Sequence, residues 1–87
     1  GMETITEAFH TLSAFPNPTR GHTMLKAPGN SIIREMHLYD LLGKPVKSER
    51  HIYSPTYLLD GAGLAKGIYL ARVKLDKGWG MVKVVFN

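Results

Sequence analysis

The alternation that begins at Tyr69 constrains this chain more than any other feature in it. Tyr69, Ala71, Val73 and Leu75 share one face of an extended segment, and Leu70, Arg72 and Lys74 share the other. A two-residue period of this kind marks a half-buried strand. The strand follows Leu64-Ala65-Lys66-Gly67, and a tyrosine at its head can bury its ring and keep its hydroxyl on a polar partner. This segment is expected to be the central strand of the fold. The glycines before it do not suit a nucleotide loop. Their spacing in Gly61-Ala62-Gly63-Leu64-Ala65-Lys66-Gly67 misses the dinucleotide fingerprint by one residue, and a strand follows where that fingerprint needs a helix N-terminus.

Breakers punctuate the rest of the chain. Ile5, Ala8, Phe9 and Leu12 fit a helical period, but the threonines and Pro16 favour a strand over about residues 9–15. Pro16-Asn17-Pro18-Thr19-Arg20-Gly21 reads as a rigid turn in which the Asn17 side chain closes on the backbone two residues ahead. A strand over 22–26 and a turn over 27–30 follow. Residues 31–39 form a strand whose inward face carries Ile32, Met36 and Leu38. Arg34 breaks that face, so the strand starts late, bulges, or lies at an edge. Asp40 and Gly43 shape the next turn, Asp40 by accepting backbone hydrogen bonds and Gly43 by taking positive φ. Residues 46–53 and 56–60 read as two more strands, with Pro45 suited to a first or edge position. After the central strand, Asp76-Lys77-Gly78 makes a hairpin turn. The last strand, 79–86, has Val82, Val84 and Phe86 on one face and Met81 and Val85 on the other, as if buried between neighbours. Seven short strands bounded by Gly, Pro, Asn and Asp argue for an all-β sandwich in a single domain of 87 residues.

Chemistry is sparse. The chain has no cysteine, so it has neither disulfides nor thiolate metal sites. His10, His22, His37 and His51 fall on separate segments without ligand spacing, and Asp40, Asp60 and Asp76 are explained as turn formers. No serine stands in a nucleophile elbow. Neither enzyme activity nor a cofactor is expected. The net charge of +4 gives a mild basic bias. Lys44, Lys47 and Arg50 come nearest to a patch, with Glu49 among them, and no nucleic-acid partner is expected. No apolar run reaches the roughly 20 residues of a membrane helix. Trp79 stands between glycines, either capping the core beside Tyr69 or exposed to stack on a sugar; burial is the preferred reading.

Three pieces occur in a fixed order: Phe15-Pro16-Asn17-Pro18-Thr19-Arg20-Gly21, Leu38-Tyr39-Asp40-Leu41-Leu42-Gly43-Lys44, and Leu64-Ala65-Lys66-Gly67-Ile68-Tyr69-Leu70-Ala71-Arg72-Val73. Together they resemble the type A carboxy-terminal sorting domain of the type IX secretion system of Bacteroidetes. The resemblance spans residues 12–87, and residues 1–11 are left as a cloning remnant with a linker or loose first strand. It implies an immunoglobulin-like, antiparallel β-sandwich of seven strands. It also implies a non-catalytic secretion signal that carries an upstream cargo domain through the periplasm and an outer-membrane translocon. A cell-surface sortase then attaches or releases the cargo at the cell surface. The matching residues are Pro16, Asn17, Pro18, Gly21, Asp40, Gly43, Lys44, Leu64, Gly67 and Tyr69, read as fold or recognition residues. Lys83 is the one lysine of a final strand that the family often makes lysine-rich. By this reading the segment from Arg72 to Asn87 is what the export machinery reads. The alternative is an immunoglobulin- or fibronectin-like extracellular module that binds glycan or protein through Trp79.

Overall fold

The computed structural model describes residues 9–87. Of the linker or loose first strand expected over residues 1–11, residues 1–8 lie outside the described residues and Phe9–Thr11 form a strand. Eight strands follow one another, with no helix among the described residues. They are β1 (Phe9–Thr11), β2 (Ser13–Phe15), β3 (His22–Lys26), β4 (Ile33–Tyr39), β5 (Pro45–Glu49), β6 (Thr56–Asp60), β7 (Gly67–Leu75) and β8 (Gly78–Phe86). The larger sheet has the order β1-β8-β7-β4-β5, and the smaller has the order β2-β3-β6.

The alternating residues of β7 behave as expected. Tyr69, Ala71, Val73 and Leu75 are buried, and the strand lies at the middle of the larger sheet between β8 and β4. Met36, Leu38 and Val84 join them from that sheet, and Leu25 and Leu59 meet them from the smaller one. The two sheets therefore share one core, built from the inward half of each strand.

The expectation of seven antiparallel strands needs correction. The first expected strand divides at Leu12. Its front part, β1, runs parallel to β8, and its rear part, β2, pairs antiparallel with β3. Leu12 is buried where the chain passes from one sheet to the other. A side chain at Gly80 would press on Leu12 and on the His10 carbonyl, so Gly80 leaves the room that the crossing needs.

Two boundaries also move. β4 begins at Ile33 and carries an irregularity between Ile33 and Glu35, so Arg34 is accommodated by a late start and a bulge. It is not at an edge, because β4 lies between β7 and β5. β5 stops at Glu49, short of the expected Tyr53. Beyond it His51 (φ 62°) and Tyr53 (φ 47°) take left-handed conformations that no strand continues through. Arg34 stacks its guanidinium 5.6 Å from the Tyr53 ring centre in this irregular segment.

Candidate functional site

Five turns or strand ends meet at one end of the molecule. β3 and β7 start there, and β4, β6 and β8 finish there. All three motif pieces, far apart in sequence, lie in these connections. They join in a single row. Pro45 pairs with Tyr39, Tyr39 with Leu70, and Leu70 with Lys83. Asn17 completes the row: its Nδ2 donates to the Lys83 carbonyl at 2.7 Å.

Asn17 does more than the expected Asx turn, and does it elsewhere. Its Oδ1 accepts the Val85 N–H at 2.9 Å, so the side-chain amide substitutes for a strand backbone along the outer edge of β8. Thr19 extends the arrangement. Its N–H donates to the Val85 carbonyl at 2.9 Å, and its carbonyl accepts the Asn87 N–H at 2.9 Å. The Thr19 hydroxyl donates to the His22 carbonyl at 2.8 Å and accepts the Gly21 N–H at 3.2 Å, which fixes the end of the turn. Pro16 and Pro18 flank Asn17 and are exposed. Their fixed φ values hold the asparagine against the strand. Gly21 joins the next connection by accepting the Gly61 N–H at 2.9 Å.

The Asp40 turn is as the sequence suggests. Asp40 Oδ1 accepts the N–H groups of Leu42 and Lys44, each at 2.9 Å, and Gly43 has φ 84°. Lys44 closes the turn through its backbone, its carbonyl accepting the Asp40 N–H at 3.0 Å, and its side chain is exposed.

In the third piece, Tyr69 buries its ring and donates its hydroxyl to the Ala65 carbonyl at 2.5 Å. The ring meets Phe86 edge to face at 5.7 Å. Leu64 packs against the core, and Gly67 opens β7 opposite Phe86. Lys83 is exposed and contributes its carbonyl to the row.

Sequence reading missed two residues. Thr19 is buried and bridges to Phe86, yet at its position in the sequence it looks like a turn spacer. Gly61 lies so close to the Phe86 ring that any side chain there would collide with it. The only signal for Gly61 was its place in a glycine cluster, and glycines cluster wherever a chain turns.

Trp79 corrects both expectations about it. It lies on the outer face of β8 at the opposite end from Tyr69, half-buried. Arg72 places its guanidinium 4.1 Å from the ring centre, so that face of the indole is covered.

One cluster on the outer face of the larger sheet has the residue types of a hydrolytic triad. His37 Nδ1 is 3.1 Å from Ser48 Oγ, and His37 Nε2 is 3.0 Å from Glu35 Oε1. The carboxylate can only accept, so Nε2 carries a proton, and in the neutral imidazole Nδ1 accepts from the serine hydroxyl. The hydrogen bond from His37 holds the Glu35 carboxyl below its usual pKa. Burial opposes this, and the charges of Lys74, Arg50 and His37 assist it. The three side chains are partly or fully exposed on adjacent strands of an open sheet face. They act as a cross-strand polar pair and its partner.

The family of secretion-system C-terminal sorting domains matches residues 13–87. The chain belongs to that family. No curated protein matches it. A sorting domain of this family is the carboxy-terminal signal for type IX secretion, and such a signal implies a protein that passes through the periplasm to the cell surface or beyond. Domains of this kind are generally non-catalytic and work by engaging the secretion machinery. Among the described residues, no helix is long and apolar enough to cross a membrane.

Proposed function

We propose that the chain, as residues 12–87, directs an upstream cargo through the outer-membrane translocon of a Bacteroidetes cell. A cell-surface sortase then attaches or releases the cargo. The domain performs no chemistry on it. The observation that carries this reading is the convergence of all three motif pieces on one row of the sheet. Pro16, Asn17, Pro18, Gly21, Asp40, Gly43, Leu64, Gly67 and Tyr69 serve the fold at this end, and Lys44 does so through its backbone while its exposed side chain is left for recognition. Lys83 takes part through its backbone.

The finer architecture is immunoglobulin-like. The order β2-β3-β6 against β4-β7-β8 follows strands A, B, E and C, F, G of that fold, with β5 added beyond β4. Tyr69 near the start of β7, hydrogen-bonded four residues back, has the form of the tyrosine corner found at the same place in such domains.

The test fuses a periplasmic reporter, behind a signal peptide, to the amino end of the whole chain in a host with the secretion system. Reporter at the cell surface or in the medium supports the reading. A folded fusion that remains in the periplasm refutes it.

A further inference from the structure

We propose that the Asp40–Lys44 turn is a docking tip. Its Leu41 and Leu42 would enter an apolar pocket with an acidic rim on a protein of the export machinery. The proposal rests on the sorting function argued above and names the surface through which that function is exercised.

Leu41 is 71% exposed and Leu42 is 94% exposed, and neither belongs to the core or packs against it. The turn would close equally well with polar residues at both positions, because its hydrogen bonds all come from Asp40, Gly43 and backbone groups. Asp40 Oδ1 holds the Leu42 and Lys44 N–H groups, the Asp40 N–H donates to the Lys44 carbonyl, and the Gly43 N–H donates to the Asp40 carbonyl. The fold therefore has no need of these leucines, yet fixes their backbone in advance. A partner that buries them orders no loop on binding, which favours affinity.

The surroundings define the partner. Arg20, Lys44 and Lys66 are exposed on the connections at this end, and Lys83 is exposed near the end of β8. Lys47 lies among them with its Nζ on the Asp60 carbonyl at 3.0 Å. The nearby carboxylates of Asp40 and Asp60 are engaged with backbone N–H groups. These carboxylates keep their charge, so five basic side chains stand against two acidic ones at this end, and an apolar tip on a mainly basic end is complementary to an apolar pocket with an acidic rim. A membrane surface fits less well. Segments that lie in a bilayer interface use a broad apolar face with aromatic anchors. Here the turn offers two leucines, and the tryptophan is at the far end of the sheet.

A second apolar patch supplies the control. Phe15, Met24 and Leu58 form an exposed cross-strand row on the outer face of the smaller sheet. Nothing in the structure shows what would cover that row.

The experiment exports the reporter fused to the whole chain in three forms: unchanged, Leu41→Ser/Leu42→Ser, and Met24→Ser/Leu58→Ser. The purified chains are also melted and tested on vesicles of phosphatidylcholine with phosphatidylglycerol. The leucine variant is expected to keep its melting temperature and to lose export by about tenfold or more, the scale of two buried anchors. The control variant exports normally, and Lys44→Glu lowers export in the same direction as the leucine variant. If the double variant melts early, Leu42→Ser alone replaces it. Export of the leucine variant at the unchanged rate overturns the proposal, as does equal loss in the control. Leucine-dependent binding to the vesicles overturns it in favour of a lipid surface. An unchanged chain that is not exported defeats the sorting function itself, a different result from loss confined to the leucine variant.

Discussion

The larger sheet ends in two edges that are managed in opposite ways. At one edge the three-residue β1 lies against β8, which is nine residues long and apolar on both faces. Left open, such a strand would offer a row of unpaired backbone groups to any other chain. Residues 9–19, far from β8 in sequence, cover its outer side. β1 pairs with Trp79 to Met81, the Leu12 N–H reaches the Met81 carbonyl, and Asn17 and Thr19 take Lys83, Val85 and Asn87. At the other edge β5 has no strand beyond it among the described residues. It has five residues, starts at Pro45, pairs irregularly at Leu38/Tyr39, and carries Lys47 and Glu49. Proline, charge and shortness blunt that edge without any partner. The contrast shows which strand the fold holds most firmly: the last strand is tied on both sides, and its tie is the Pro-Asn-Pro turn.

The largest effects should appear at the covered edge. Phe86→Ala removes a ring packed on Tyr69 and under Gly61, and is expected to destabilise by about 3–5 kcal/mol in urea melts. Asn17→Ala deletes two hydrogen bonds to β8 and should lower stability by about 1–3 kcal/mol. Hydrogen exchange sharpens the second case. The Val85 amide should lose protection in Asn17→Ala, while amides of β4 keep theirs. Equal loss across the sheet would mean that the turn matters for folding as a whole and not as a cover for β8. The open edge should respond differently. Pro45→Thr with Lys47→Thr is expected to change stability by no more than about 0.5 kcal/mol. It should instead raise self-association, read by sedimentation, because an edge strand has been unblocked. A monomer at every concentration would show that β5 is too short to pair and needs no blunting.

The same contrast explains what was legible in the sequence. Alternation along 69–75 and the breakers around each strand depend on neighbours in the chain, so the centre strand, the Asp40 turn and the blunt edge at Pro45 could be read directly. The cover on β8 could not. Asn17 to Lys83 and Asn17 to Val85 are contacts across nearly the whole chain. Nothing local separates an asparagine that closes its own turn from one that reaches a distant strand. The division of the first strand at Leu12 was hidden for the same reason, since it depends on the space above Gly80. β5 was read too long because residues 50–53 carry strand-like side chains, while the turn at His51 and Tyr53 is set by contacts with β4. The motif order identified the family, but not that the three pieces share one row.

The smallest expected effect lies between the two edges, on the outer face where Glu35, His37 and Ser48 meet. Glu35 is held below its usual pKa, chiefly by the hydrogen bond from His37. An acid whose folded pKa is lowered stabilises the fold above its unfolded pKa, and that contribution fades as pH falls through the folded value. Glu35→Gln should therefore melt slightly below the unchanged chain at about pH 7 and match it at about pH 2, where both carry a neutral side chain. His37→Ala removes the main cause of the shift, so the Glu35 carboxyl should titrate closer to its ordinary value by NMR. A constant gap between Glu35→Gln and the unchanged chain at every pH would show that Glu35 acts by shape and hydrogen bonding alone. In that case the polar pair would tie this face of the sheet independently of charge. A gap that closes in acid would make the centre of this face a third, charge-dependent fastening between the covered edge and the blunt one.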